Sequence, residues 1–518
     1  MKGANAVINT LVDSGVDVCF SNPGTSEMHF VAALDDVPAM RGILALFEGV
    51  ATGAADGYAR IAGGPAGVLL HLGPGLGNGL ANLHNARRAR TPVVTIVGDH
   101  ATYHAKYDAP LQSDIAAIAS GVSGWVHSST DPATVGDDVA AAVAAAIGPP
   151  GQVATLILPA DVTWLDGAET VGRHPIPRPS AVADSTIANI AAVLRSGEPA
   201  ALLVGGSAMR AEPLADAGRI SATTGAKLLS EVFPTCVERG AGIVAAERLG
   251  YLAEFAQMQL DGLSHLILVD AASPVSFFAY PDKASDLVPE GCTVHTLAAP
   301  GSDVVSALAA VAEAVGAGDV EAPVAAAFRP DRPTGELDAE TIAAAIGATL
   351  PEGAIVSDEA NTSGLWIPGM TAGAPRHQWM TLTGGAIGYG MPVATGAAVA
   401  APDRPVLSLE ADGSAMYTLQ ALWTQAREGL NVTTVVFNNR SYAILNLELS
   451  RTGAGEPGPQ ALDMLDLHRP DIDFVRLSEG LGVPARKATS AEDLTEALER
   501  SISEEGPSLI EVELPAAF

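Results

Sequence analysis

The chain has 518 residues, 48% of them hydrophobic, and a formal net charge of −31. That length implies two to four domains of ordinary size. With 28 Lys and Arg against 59 Asp and Glu there is no basic stripe to neutralise phosphates, so nucleic acid is not an expected partner.

Helical patterns at 4–15 and 49–63 alternate with apolar runs at 67–72, 92–98 and 153–159 that read as buried strands. A proline-rich stretch at 166–184 reads as an exposed linker. The next block holds strands at 199–206 and 263–271, and a second proline-rich linker covers 319–338. The last block holds strands at 353–359, 405–413 and 431–439. Continuous apolar strands between helices imply parallel sheets covered on both faces. The expected fold class is α/β, with three doubly wound parallel-sheet domains over 1–165, 185–318 and 339–518. Cys19, Cys236 and Cys292 have no metal or disulfide spacing, which fits a reducing, cytoplasmic compartment. The first residues do not read as a signal peptide, and no run approaches the roughly 20 apolar residues that span a bilayer, so no membrane is expected.

Residues 405–442 carry the sharpest chemistry. One apolar strand ends in Ala411-Asp412-Gly413-Ser414, a helix follows, and a second strand ends in Asn438-Asn439. Asp412 and Asn439 then stand at the C-terminal ends of two parallel strands, the edge where open α/β sheets bind ligands. A carboxylate and a carboxamide are hard oxygen ligands suited to Mg²⁺ or Ca²⁺. Gly413 and Ser414 open a helix whose N–H groups can receive a diphosphate. The same residues also read as a helix cap and a turn.

This stretch resembles the motif of thiamine-diphosphate-dependent enzymes, GDG and, some two dozen residues later, NN. Here 24 residues separate Gly413 from Asn438, and Ala411 replaces the first glycine. The resemblance implies that Asp412, Asn439 and the Ser441 carbonyl ligate Mg²⁺, with Ca²⁺ able to substitute, and that Tyr442 lies beside the cofactor. Residues 383–392 resemble the family loop in which Ile387 would wedge the cofactor into a bent shape and the Gly385 carbonyl would accept from the aminopyrimidine. Asn361, Thr362 and Ser363 could donate to the diphosphate, or simply cap a helix.

The N-terminal block supplies the proton chemistry. Residues 44–60, LALFEGVATGAADGYAR, resemble the family segment EGAAxxADGYAR. Glu48 would be the carboxyl that shares a proton with the pyrimidine. Thr25, within 21–27, matches a position that contacts the substrate carboxylate in benzoylformate decarboxylases; an ST turn is the other reading. His71 matches a histidine of that branch and would act as acid–base; a satisfied buried histidine is its alternative. Gln112, within 109–114, resembles the FQE-type segment of acetolactate synthases and would face the site. His100 and His104 could reach the cleft, although a solvated loop explains them as well.

In the middle block, Ala279 stands where benzoylformate decarboxylases place a second histidine, while Phe277, Phe278 and Tyr280 line a pocket or pack as core. Gly205–Arg210 is no GxGxxG, and no arginine-bearing flavin loop stands out, so FAD is not expected. The resemblance therefore implies pyrimidine-binding, middle and diphosphate-binding domains. It implies thiamine diphosphate and Mg²⁺ as cofactors, and a small 2-oxo acid as substrate for decarboxylation or carboligation, as in acetolactate synthases. It also implies a homodimer or homotetramer with sites at the subunit interface. A related acyl-transfer or acyl-CoA lyase reaction and a non-catalytic cofactor-binding paralogue remain as alternatives.

Overall fold

The computed structural model describes residues 1–515. Eighteen strands form three sheets. The first sheet uses β1 (Val18–Ser21), β2 (Arg41–Leu44), β3 (Ala66–His71), β4 (Val93–Asp99), β5 (Trp125–Ser128) and β6 (Val153–Pro159), in the order β2-β1-β3-β4-β6-β5. All its pairings are parallel. Helix α1 (Glu48–Ala62) follows β2, and helix α2 (Leu72–Ala89) follows β3 directly.

The second sheet takes β7 (Ala200–Val204), β8 (Lys227–Ser230), β10 (Glu247–Arg248), β11 (His265–Val269) and β12 (Thr293–Ala298), again all parallel. Between β8 and β10 the chain leaves this sheet. Strand β9 (Cys236–Arg239) pairs antiparallel with β14 (His377–Thr381) at the edge of the third sheet. Sequence reading places that segment in the middle block, because a four-residue excursion leaves no mark in apolar patterning.

The third sheet runs β17-β18-β16-β15-β13-β14-β9. Its other strands are β13 (Ile355–Glu359), β15 (Val406–Ala411), β16 (Val432–Asn438), β17 (Ala485–Ala488) and β18 (Ser508–Glu513). Helix α3 (Gly390–Ala400) precedes β15, and α4 (Asp412–Thr418) follows it. The α/β class with three largely parallel sheets is thus as the sequence implies. The eight apolar runs that read as strands all form strands, within two residues at most ends.

The first and third layers share one core. Val50, Ala54 and Leu76 belong to the same buried cluster as Met391, Val393 and Ala397. Helices α1 and α3 meet backbone to backbone, which demands glycine. A Cβ at Gly57 would overlap the Val393 carbonyl, and one at Gly396 would overlap the Ala54 carbonyl. Arg60 locks the seam. Fully buried, it pairs with Asp56 at 2.6 Å and donates to the Thr235 and Thr381 carbonyls. The small-residue pattern of 48–62 therefore has a structural cause in this seam.

Candidate active site

Two groups of side chains gather at the C-terminal edges of the first and third sheets. At the third, β15 ends and α4 begins on Asp412, which is 2% exposed. Ala411, at the glycine position of the motif, has φ −76° and ψ 147°, ordinary extended backbone that accepts a methyl group. The Asp412 carboxylate accepts the Gly413 N–H at 2.7 Å and the Arg440 N–H at 2.6 Å. Burial pushes its carboxyl up to about 6, against the pull of these N–H groups. Arg440 has φ 58°, so the chain folds back over Asp412. Asn439 Oδ1 accepts from Ser441 N at 3.0 Å within that turn. Asn438 points elsewhere, donating to Glu511 at 2.8 Å. Asn361 donates to Ser414 Oγ at 3.1 Å, joining the turn after β13 to the start of α4. Thr362 and Ser363 are half-buried beside it.

Ile387 is half-buried on a loop that turns at Gly385 (φ 73°) and Gly388 (φ 87°), conformations only glycine adopts cheaply. The loop is held from three sides. Asn85 both donates to the Ala386 carbonyl at 2.8 Å and accepts its N–H at 3.2 Å. Asn82 and Thr418 donate to the Gly388 carbonyl at 3.1 and 3.0 Å. Glu359 accepts the N–H groups of Gly388, Tyr389 and Gly390 at 2.8, 2.9 and 2.6 Å. The Gly385 carbonyl accepts from no protein donor among the described residues.

At the first sheet, Glu48 occupies the first turn of α1 and is 7% exposed. One donor reaches it, Asn78 Nδ2 at 3.0 Å. His71 ends β3, and Leu72 immediately after it has φ 48°, a strained conformation for a bulky residue. His71 Nδ1 lies 2.8 Å from Glu27 Oε2 and 3.4 Å from Ser26 Oγ. Glu27 is buried and also accepts the Gly24 N–H at 2.8 Å. Burial raises its carboxyl, and His71 and Gly24 draw it part of the way back. Thr25, Ser26 and His71 open onto a cavity of about 300 Å³. His100, His104 and Leu111 line the same cavity. Leu111, rather than Gln112, lines this cavity; the Gln112 carboxamide oxygen is buried without a partner.

The two C-terminal edges match known proteins over the same stretches. Residues 1–120 match the thiamine pyrophosphate enzyme N-terminal TPP-binding domain, and 362–512 match the C-terminal TPP-binding domain. A Mycobacterium tuberculosis H37Rv protein with the provisional name acetolactate synthase large subunit IlvX is 63% identical over 517 residues, covering 100% of this chain and 99% of its own. The chain belongs to the thiamine pyrophosphate enzyme family. Benzoylformate decarboxylase of Pseudomonas aeruginosa is 29% identical, with 96% of each chain covered. The fold is also that of a thiamine diphosphate-dependent 4-hydroxybenzoylformate decarboxylase from Rhodococcus jostii RHA1, with TM-score 0.86, 24% identity and 99% of each chain covered.

For a thiamine pyrophosphate enzyme, the residues present fit the cofactor. One buried carboxylate with neutral oxygens around it suits a Mg²⁺ whose remaining ligands are phosphates and water. No group of three or more His, Cys, Asp or Glu among the described residues offers a rival metal cage. The free Gly385 carbonyl is the acceptor an aminopyrimidine requires. Asn82 of α2 bridges the two groups, donating to the Gly49 carbonyl beside Glu48 at 2.8 Å and to the Gly388 carbonyl of the Ile387 loop at 3.1 Å.

The middle layer contributes no second histidine: Ala279 sits in a loop whose Phe277 ring packs against Gly385, where a Cβ would stand 2.6 Å from Cζ. Phe277 and Phe278 form an aromatic cluster with Phe233 and Tyr251 rather than a buried core. Tyr280 donates to Glu448 at 2.7 Å. The turn after β7 is filled from within. Asp270 accepts both the N–H and the hydroxyl of Ser207 at 2.8 Å, and Glu231 accepts the Gly206 N–H at 3.3 Å. Those N–H groups meet carboxylates of the chain itself, leaving none for a nucleotide phosphate.

Glu27, Asn78, Asn82, Asn85 and Glu359 are site residues that sequence reading passes over. Glu27 and Glu359 stand inside the motif segments 21–27 and 357–364, so an acidic residue beside each motif was the available signal. Asn82 and Asn85 of α2 gave none, because their partners on the Ile387 loop lie about 300 residues away.

Proposed function

We propose that this protein is a thiamine diphosphate- and Mg²⁺-dependent enzyme that decarboxylates small 2-oxo acids or joins the resulting acyl unit to a second carbonyl. The carrying observation is the buried, singly bonded Glu48 at the head of α1. A carboxyl in that position can hold a proton and release it to a ring nitrogen. Thiamine diphosphate, when bound, would supply a nucleophilic ring carbon and a cationic ring that takes up the electron pair of the breaking carbon–carbon bond.

The remaining steps belong to the chain. Asp412, Asn439 and the Ser441 carbonyl would hold Mg²⁺, and Asn361, Thr362, Gly413 and Ser414 would bind the diphosphate. Gly385, Ile387 and Tyr442 would position the rings. Glu27 accepts from Nδ1 of His71, which leaves Nε2 to take up or deliver a proton in the cavity that Thr25 shares. Thr25 would receive the substrate carboxylate. The names of relatives, acetolactate synthase large subunit and benzoylformate decarboxylase, agree with this chemistry.

We further infer a dimer or tetramer whose sites lie between subunits. Apolar Leu46, two residues before Glu48, and Met416 and Tyr417, in the helix that Asp412 opens, lie exposed and supply an apolar surface for a second subunit. We place the domains at 1–165, 185–318 and 339–518, a reading supported by the strands each range contributes, with β9 crossing to the third sheet. Three free cysteines accord with a reducing cytoplasm, and no helix among the described residues is long and apolar enough to cross a membrane.

The test is CO₂ release from a panel of 2-oxo acids with both cofactors added, in wild type and Glu48→Gln. Release that depends on Mg²⁺ and disappears in the variant supports the reading. Undiminished release in Glu48→Gln would end it.

A further inference from the structure

The segment from Asp99 to Leu111 forms the outer wall of the cavity into which Thr25 and His71 face. Within a mostly apolar lining, this segment contributes the imidazoles of His100 and His104. His100 and His104 stack at 5.3 Å between ring centroids, and His104 packs on Tyr107 at 5.7 Å. Those ring contacts fix the imidazoles without using their nitrogens. Among the described residues no hydrogen bond engages a ring nitrogen of either histidine, and His100 Nε2 is buried with no partner. A buried polar atom left unpaired costs stability, so such an atom at a cavity wall marks a place for a ligand group. Leu72, Leu111 and Trp164 supply the apolar remainder of the lining.

We propose that the donor acid carries an oxygen acceptor at the end remote from its keto acid, and that His100 and His104 receive it. This rests on the decarboxylase reading above, and adds the substrate class. An imidazole presents at least one N–H donor in every protonation state, so two of them suit a hydroxyl or a carboxylate. A donor ending in methyl or plain phenyl would cover these nitrogens and give nothing back, and sites built on hydrogen bonds discriminate strongly against analogues that lack the group. At about 300 Å³ the cavity has room beyond what a three-carbon acid fills.

The experiment compares kcat/KM for CO₂ release within two matched pairs: phenylglyoxylate against its para-hydroxy derivative, and 2-oxopentanoate against 2-oxoglutarate. The first pair reads a hydroxyl and the second a carboxylate. Wild type should favour the polar member of at least one pair by about tenfold or more. His100→Leu and His104→Leu should bring that ratio towards one, and His104→Gln, which keeps a donor, should preserve part of it. Each ratio is taken within one variant, so a general loss of fold cancels. Ratios at or below one in wild type for both pairs, or ratios identical in wild type and both leucine variants, would overturn the inference while leaving the decarboxylase reading intact. No CO₂ from these four acids while another 2-oxo acid of the panel releases it would overturn the inference alone, and no CO₂ from any 2-oxo acid would overturn both.

Discussion

Glu27 Oε2 and His71 Nδ1 lie 2.8 Å apart although 44 residues separate them, and the glutamate has almost no other exposure. The pair joins the turn after β1 to the end of β3, and it orients the imidazole edge that faces the cavity. A carboxylate behind a histidine sets its tautomer. Glu27→Gln should therefore lower kcat/KM about 10- to 100-fold, in line with outer-shell partners elsewhere. The pH profile should change shape, and Glu27→Asp should restore part of the rate. A uniform loss with the profile unchanged would reduce Glu27 to a packing role.

Glu48→Gln keeps the Asn78 contact but cannot exchange a proton. Turnover should fall by about 10²–10⁴-fold, the usual contribution of a positioned acid–base group. Cofactor binding, followed by fluorescence quenching on titration, should survive. If both vanish together, Glu48 holds the cofactor rather than working on it.

Chelation should release the diphosphate. With one carboxylate at the metal position, EDTA should abolish activity and Mg²⁺ or Ca²⁺ should restore it. Asp412→Ala should raise the Mg²⁺ needed for half-maximal activity by at least about tenfold. Activity that persists after exhaustive chelation and dialysis would count against a metal at Asp412.

These assignments differ in how far the sequence reveals them. Strands such as Val153–Pro159 and Ala200–Val204 are legible because both faces are buried and the run is almost wholly apolar. Strands β2 and β5 escape, since Arg41–Leu44 and Trp125–Ser128 are short and half exposed. Asp412 and Asn439 are legible because one local motif carries both. Asn82 and Asn85 are not, because their meaning depends on a loop some 300 positions later. Gln112 and His104 are the instructive pair. Resemblance singles out the first, while the cavity is lined by the second.

Gly396→Ala tests the seam that carries this geometry. Its methyl group would overlap the Ala54 carbonyl, and backbone cannot move aside as a side chain can. A destabilisation of about 1–3 kcal/mol is expected from such overpacking. Glu48 heads the helix that would shift, so kcat should fall along with the melting temperature. A variant with wild-type stability would show that α1 and α3 are less tightly apposed.

The last prediction concerns two carboxyls under the Ile387 loop. Glu359, at the end of β13, and Glu410, in β15, are 2% and 1% exposed and adjacent. Glu359 is spoken for by three N–H groups, and Ser408 donates to Glu410 at 2.6 Å. Burial raises both carboxyls, and each charge opposes the other, so the folded protein keeps a proton between them well above the ordinary carboxylate range. The unfolded chain loses that proton near the usual glutamate value of about 4.3. With the folded pKa above the unfolded one, the pair's stabilising contribution is complete below that value. It then declines as pH rises through the raised range. The melting temperature of wild type should therefore drop between pH 5 and pH 8.5 by about 2–4 °C for each kcal/mol involved. Glu410→Gln can still accept from Ser408 and can donate to Glu359, which then ionises alone against three N–H donors. Its melting curve should be flatter across that pH span and should lie above wild type at the alkaline end. Parallel curves for the two proteins would show that no proton is held between Glu359 and Glu410.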